Sequence, residues 1–263
     1  MNEVLDTVTG HPAAIRFEDV HKSFGDFVVL DGLDLIIPRG CITFLIGRSG
    51  TGKSVTLKHA MGLLQPDRGR IWVDGDELSE MSSRQLRDLR NKFGVVFQHA
   101  ALFDSMNVFD NIAFPLREHT RLRKREIEAK VTVMLGQVGL SGSEKKTPSE
   151  LSGGMRKRVG LARALIRDPS FILYDEPTAG LDPILAAEMT DLILRTHRSR
   201  EQVTSFVISH DMTAVLQIAD KVVMLANGKI VHEADRDAFR RIEDPIVRQF
   251  LVGTAMDNTK EVA

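Results

Sequence analysis

Between Ala14 and Val73 the apolar residues come in short blocks: Ala14–Phe17, Leu33–Ile37, Cys41–Ile46 and Arg70–Val73. Pro38-Arg39-Gly40 and Asp74-Gly75 punctuate them, so the blocks predict strands divided by turns. Leu33–Ile37 alternates only in part, whereas Cys41–Ile46 is almost wholly apolar, as a strand covered on both faces should be. From Gln98 to Leu165 the period lengthens. Ile127, Val131, Leu135 and Val138 recur at helical spacing, and Arg123, Lys124, Arg125 and Lys130 border them on the wet side. Strands return at Phe171–Tyr174 and Thr204–Ile208, with a helix over Ile184–His197 between them. Ala226-Asn227-Gly228 joins Lys221–Leu225 to Lys229–Val231 as a hairpin with an Asn-Gly turn. Asp244-Pro245 reads as the N-cap and first position of a short packing helix carrying Ile246, Phe250 and Leu251. Residues 1–13 read as a loose leader, and Met256–Ala263 as a disordered tail. Alternating strands and helices predict an α/β protein with a helix-covered parallel sheet, and the helical block set between strands predicts a second lobe.

Composition adds exclusions. The chain has 263 residues, 43% hydrophobic and 27% charged, enough apolar side chains for a sizeable core. A formal net charge of −1 gives no electrostatic reason to expect a nucleic-acid partner. The single cysteine, Cys41, forms no intrachain disulfide and falls in an apolar run, which predicts a buried thiol. Met1–Gly10 lacks the basic-then-apolar order of a signal peptide, and no apolar stretch approaches the roughly 18 residues that cross a bilayer. These features predict a cytoplasmic protein whose membrane role, if it has one, is supplied by another subunit.

The strongest chemical signal is Gly47-Arg48-Ser49-Gly50-Thr51-Gly52-Lys53-Ser54, which fits G-x-x-x-x-G-K-[ST] in full, with a buried strand before it and a helix over Ser54–Leu64, Val55 included, after it. Such a loop curls its amides around phosphate oxygens, and the helix N-terminus adds a positive end. Lys53 is placed to neutralise β- and γ-phosphates, and Ser54 to ligate Mg²⁺. Phe171-Ile172-Leu173-Tyr174 delivers Asp175 and Glu176 to a strand end, where α/β sheets hold their ligands. Asp175 would hold Mg²⁺, directly or through water; Glu176 would orient or deprotonate the attacking water. His210 ends the run Thr204–Ser209 and Gln98 follows Phe93–Phe97, so the first is placed to touch a γ-phosphate and the second to reach Mg²⁺. None of the other histidines has a metal-ligand spacing, which predicts no structural metal.

Leu151-Ser152-Gly153-Gly154-Met155 precedes a helix running to about Arg167 and forms a second anion-binding helix start, with Ser152 as N-cap and two glycines leaving amides uncovered. One nucleotide does not easily use two such sites on different lobes of one chain. A head-to-tail dimer with two-fold symmetry solves this: Ser152, Gly153 and Gly154 of one chain face the ATP held by Lys53 of the other.

The order of Gly47–Ser54, Gln98, Leu151–Gly154, Phe171–Glu176, Gly180-Leu181-Asp182 and His210 resembles the nucleotide-binding domain of ABC transporters over roughly residues 15 to 235. The resemblance implies a P-loop NTPase fold: a RecA-like core with a mixed sheet, an N-terminal antiparallel β subdomain and an inserted α-helical subdomain. It implies a nucleotide-binding domain over 14–240, helical over about 99–167, followed by a C-terminal helix and tail over 241–263. It further implies ATP hydrolysis coupled to transport, Phe24 stacking on adenine, and Asp182 contacting the partner subunit. Met155 departs from the family's frequent glutamine and Phe24 from its frequent tyrosine; neither touches the chemistry. Ala101–Met106, Ala113–His119 and Leu151–Arg158 are similar to the Mla-type, MCE-associated lipid transport ATPases. That likeness implies phospholipid or a related lipid as cargo, with an integral permease, an MCE-domain lipid-binding protein and a small STAS-domain protein as partners, on the cytoplasmic face of the inner membrane. Phe103, Phe109 and Phe114 are either a docking patch for a permease helix or core. The competing readings are an ABC ATPase acting on ribosomes or DNA, an importer ATPase for a small polar solute, and a P-loop kinase, which would need neither Leu151–Met155 nor His210.

Overall fold

The computed structural model describes residues 4–200 and 202–257. Among the described residues ten strands run in chain order: β1 Ala13–Phe24, β2 Phe27–Pro38, β3 Ile42–Ile46, β4 Arg68–Val73, β5 Asp76–Glu77, β6 Phe93–Val96, β7 Phe171–Asp175, β8 Thr204–Ile208, β9 Lys221–Ala226 and β10 Lys229–Ala234. The α-helices are α1 Lys53–Ala60, α2 Ser83–Arg90, α3 Val108–His119, α4 Lys124–Gln137, α5 Gly153–Leu165, α6 Pro183–Arg198, α7 Met212–Ile218, α8 Arg236–Phe239 and α9 Pro245–Asp257. The chain divides into two compact units, one formed by residues up to 87 and from 204 onward, the other by residues 88–203.

The first unit contains an antiparallel sheet in the order β2-β1-β4-β5 and the mixed run β10-β9-β3-β8. In that run β3 pairs in parallel with both β8 and β9, with Leu45 opposite Ile208 and Val223. Every residue of β3 is buried, Thr43 included, as its almost wholly apolar run predicts. Asn227 and Gly228, at φ 50° and 74°, make the tight turn between β9 and β10. Cys41 is buried, and loss of hydration pushes its thiol up to about 11, so it is no nucleophile at neutral pH.

Three expectations change. β1 and β2 are twelve residues each, far longer than the blocks Ala14–Phe17 and Leu33–Ile37. The ladder shifts register between Phe17 and Val20, where Asp19 has φ 47°, so the side-chain alternation that marks a strand is broken in mid-strand. The helix after the phosphate loop stops at Ala60 rather than Leu64, because Gly62 turns left-handed at φ 61°. The leader is not loose. Leu5 bridges to Pro12, and Asp6, 2% exposed, pairs with the Nζ of Lys221, which is fully buried at the start of β9. Lys221 also meets Glu233 at 3.0 Å and donates to the Ile36 carbonyl at 3.1 Å.

In α9, Asp244 accepts from the Ile246 amide at 2.7 Å as its N-cap, but the packing residue is Val247, while Ile246 is 46% exposed. Met256 and Asp257 are helical; the rest of the expected tail, 258–263, lies outside the described residues.

The second unit pairs β6 with β7 in parallel, Val96 opposite Tyr174, and carries α3 to α6. The buried stripe of α4 is Ile127, Val131, Met134 and Leu135, the face that its sequence period predicts. The rings of Phe103 and Phe114 meet at a tilt with centroids 4.9 Å apart; Phe103 is 41% exposed, while Phe109 and Phe114 are half-buried, so the phenylalanine group is neither core nor a free patch.

Removing Asp6 leaves a buried ammonium with one outer partner. Asp6→Ala is expected to cost about 3 kcal/mol of unfolding free energy, and adding Lys221→Met to recover most of it. Urea denaturation of both variants checks this; an unchanged midpoint for Asp6→Ala would show that Glu233 alone suffices.

Candidate functional site

In the first unit the site begins where β3 ends. Gly47, at φ 156°, lies so close to β9 that a Cβ would collide with the Leu225 carbonyl oxygen. Gly52, at φ 103°, would put a Cβ 3.0 Å from the methyl groups of Val29 and Leu30. Only glycine therefore carries the chain from the strand, around the loop and into α1. Between them the Thr51 hydroxyl donates to the Arg48 carbonyl at 2.9 Å, while Arg48, Ser49 and Gly50 face solvent. Gly52 is the N-cap of α1 and supplies no side-chain cap. Lys53, 9% exposed, folds back so that its Nζ donates to the carbonyls of Gly47 at 2.7 Å and Arg48 at 3.0 Å. Ser54 is exposed in the first helical turn and Val55 half-buried behind it.

His210 follows β8. Because Leu45 pairs with Ile208, Gly47 and His210 leave the same end of the sheet, each two residues later. Ser209 Oγ accepts from the Asp211 amide at 3.0 Å, and Asp211 caps α7 through the amides of Thr213 and Ala214, which leaves His210 exposed between them. Phe24, half exposed at the end of β1, presents a ring with the Lys22 ammonium 5.6 Å from its centroid. Lys22 is anchored by Asp67 at 2.6 Å.

The second unit gathers the remaining candidates. The Val96–Tyr174 pairing brings Gln98 and Glu176 out at one end of the β6–β7 pair. Gln98 is exposed, and Asp175 and Glu176 are half-buried. Glu176 sits at φ 51°, in the left-handed region, just beyond the end of β7. Ser152 caps α5 by accepting from the Met155 amide at 3.3 Å. Asp182 caps α6 by accepting from the amides of Ile184 and Leu185, both at 3.0 Å. Gly154 packs on Leu185 and Gly153 approaches Leu181, so the Ser152 turn and the Asp182 cap adjoin.

Two residues of α5 escaped the sequence reading. Lys157, 7% exposed, donates from Nζ to the carbonyls of Glu176 at 3.3 Å, Pro177 at 2.9 Å and Ala179 at 2.6 Å. Its pKa is lowered by burial, against an opposing pull from the Glu176 carboxylate. Arg163 donates to the carbonyls of Ala100 and Ala101, each at 2.8 Å, and burial lowers its pKa too. Those two alanines follow Gln98 and are both left-handed, at φ 58° and 46°. Every acceptor is a backbone atom, so only a cationic side chain in an apolar helix period signals either contact.

A family model described as ABC transporter matches residues 30–179. The probable ribonucleotide transport ATP-binding protein mkl of Mycobacterium leprae is 45% identical over 240 residues, 91% of this chain and 69% of the relative. The intermembrane phospholipid transport system ATP-binding protein MlaF of Escherichia coli K12 is 43% identical over 241 residues, 92% of this chain and 89% of the relative. The chain belongs to the ABC transporter family. As an ABC ATPase it shares its cassette fold with cbiO1 of Clostridium perfringens, part of the ABC transporter complex cbiONQ. That match has a TM-score of 0.80 and 27% identity, over 93% of this chain and 99% of the other. The ATP-binding cassette MJ0796, as a post-hydrolysis dimer bound to ADP and Pi, matches with a TM-score of 0.76 and 26% identity, over 84% of this chain and 98% of the other. ATP is accordingly the substrate of this ABC cassette.

Because the Gly47 collision is with backbone, no side-chain adjustment relieves it. Gly47→Ala is expected to weaken ATP binding at least about tenfold, which is about 1.4 kcal/mol. Titration with a fluorescent ATP analogue tests it, and wild-type affinity would show that the loop can shift away from Leu225.

Proposed function

We propose that this chain is the motor subunit of a lipid transporter: two copies grip two ATP molecules head to tail, hydrolyse them, and drive a separate permease that moves phospholipid. Lys53 and the amides of Gly47–Val55 hold the phosphates, and Phe24 stacks on adenine. Ser54, Asp175 and Gln98 offer only oxygen donors of the kind Mg²⁺ takes, and all three lie at element ends open at least in part to solvent. Bound there, Mg²⁺ neutralises charge on the phosphates. Glu176 orients the attacking water or takes its proton, and His210 steadies that water against the γ-phosphate. Ser152, Gly153 and Gly154 face the ATP of the other subunit, with Asp182 at the same junction.

The observation that carries the dimer is the glycine pair at the start of α5. A Cβ at Gly153 would meet only Leu181, at 3.9 Å, and one at Gly154 only Leu185, at 3.5 Å or more, which is ordinary packing. Neither residue has a left-handed φ. The chain's own fold gives no reason for two glycines there, whereas an anion approaching the helix amides does.

The lipid cargo is supported by the name of the Escherichia coli relative and by the segments Ala101–Met106 and Ala113–His119. The mycobacterial relative's name, ribonucleotide transport, is the second reading. An MCE-domain protein and a small STAS-domain protein are proposed as further partners. The cassette is taken as residues 14–240, with its helical subdomain over about 99–167. The site of action is the cytoplasmic face of the inner membrane, reached through the permease; among the described residues no helix is long and apolar enough to span a bilayer. Purification of the complex from its native membrane, with mass spectrometry of bound lipids, separates lipid from ribonucleotide.

Glu176→Gln is expected to keep ATP binding, lose turnover by about 10²-fold or more and elute as a dimer with ATP. A monomer at high concentration under those conditions would refute the sandwich. Gly153→Ala is expected to leave thermal stability unchanged within about 0.5 kcal/mol while abolishing the ATP-induced dimer of the Glu176→Gln protein. A large fall in melting temperature would instead show that the glycine serves the fold.

A further inference from the structure

Lys157 sits one helical turn beyond Ser152, Gly153 and Gly154, inside α5, yet its charged end reaches the turn that leaves β7. An ammonium group has three N–H donors, and here all three meet carbonyl oxygens, those of Glu176, Pro177 and Ala179. Such a clamp is unusual for a residue only 7% exposed, because burying an ammonium is costly and its three hydrogen-bond acceptors here are neutral carbonyls. The segment it holds also has a conformation to be held. Glu176 has φ 51°, which a residue with a Cβ adopts at some cost. The Ala179 amide closes the turn on the Glu176 carbonyl at 3.2 Å, and Asp182 begins α6 three residues later. The Lys157 amine therefore fixes the backbone from the glutamate to the helix cap against the same helix whose N-terminus presents Ser152 and the two glycines.

We propose that Lys157 is a positioning residue that ties the seating of α5 on the partner's ATP to the placement of the Glu176 carboxylate. The inference rests on the roles proposed above for Glu176 and for the Ser152 turn. α5 is rigid between residues 153 and 157, so a shift of its first turn is a shift of the Lys157 amine, and with it of three carbonyls in the 176–179 turn. Hydrolysis would then be efficient only when the opposite ATP seats α5. Displacement of a catalytic group by about 1 Å is enough to cost on the order of 10² in rate, so a clamp of this kind acts on kcat rather than on substrate binding.

The test compares Lys157→Met, which keeps the aliphatic stem and removes every donor, with Lys157→Gln, which restores two donors on a shorter arm. Steady-state ATPase kinetics are measured for both, alongside Glu176→Gln. The expected result for Lys157→Met is a fall in kcat of at least about tenfold with KM within about threefold of wild type. Lys157→Gln should lie between it and wild type, and the Lys157→Met/Glu176→Gln double variant should still dimerise with ATP. Wild-type kcat in a folded Lys157→Met overturns the proposal, as does a matching loss in KM. Should Lys157→Met fail to fold, Lys157→Gln carries the test: a kcat reduced about threefold at unchanged KM supports the clamp, and a wild-type kcat makes Lys157 a stability residue only. Full turnover by Glu176→Gln would instead remove the reading of the site itself, whatever Lys157 does.

Discussion

Cationic side chains that donate to backbone carbonyls hold three of the turns that carry candidate groups: the phosphate loop, the turn at Glu176 and the loop after Gln98. Lys53 holds the carbonyls of Gly47 and Arg48, Lys157 those of Glu176, Pro177 and Ala179, and Arg163 those of Ala100 and Ala101. The need is geometric. A strand that ends in a ligand-facing turn must reverse within a few residues, and the reversal uses left-handed backbone at Glu176, Ala100 and Ala101, where no glycine relieves it. Carbonyls in such turns point inward without a ladder partner. A long cationic side chain reaches them from a neighbouring element and satisfies several at once.

Carbonyl acceptors have a second consequence. They satisfy hydrogen-bonding capacity without themselves carrying a countercharge. At the α1 N-terminus beside Lys53, Gly52 supplies no capping side chain of its own. The loop is built to be stable while still attracting a phosphate. Lys221 is tied by carboxylates as well. It is buried, and its charge is met by Asp6 and Glu233. Lysine-to-carbonyl bonds thus serve the phosphate loop, and lysine-to-carboxylate pairs serve a structural tie, in the same unit.

The same contrast explains what could be read from the residues in order. Gly47–Ser54 is legible because its chemistry lies in local spacing, and Asp175 and Glu176 because an apolar run announces the strand that delivers them. The hairpin at Asn227-Gly228 is legible because two left-handed residues need that pair. The tie of Asp6 to Lys221 joins residues 215 apart, and nothing local marks either as a partner. The length of β1 and β2 is hidden by the register shift near Asp19. The Lys157 and Arg163 clamps are hidden more deeply, since sequence names side chains and their acceptors are main-chain atoms.

Helix α5 concentrates these constraints. Its first turn offers glycines that the fold does not require. Its middle holds the Glu176 turn through Lys157. Its last turns hold the Gln98 loop through Arg163, and Gly160 lets that loop approach, since a Cβ there would stand 3.1 Å from that of Ala100. The two clamps lie six residues apart on a helix, about 9 Å of rise. A body that short and that well hydrogen-bonded moves as one piece. Whatever displaces its N-terminus therefore displaces both turns together, and the glutamate and the glutamine cannot be repositioned separately without breaking one set of carbonyl bonds. Since those turns carry the groups proposed for water activation and for Mg²⁺, α5 makes their placement a single degree of freedom rather than two.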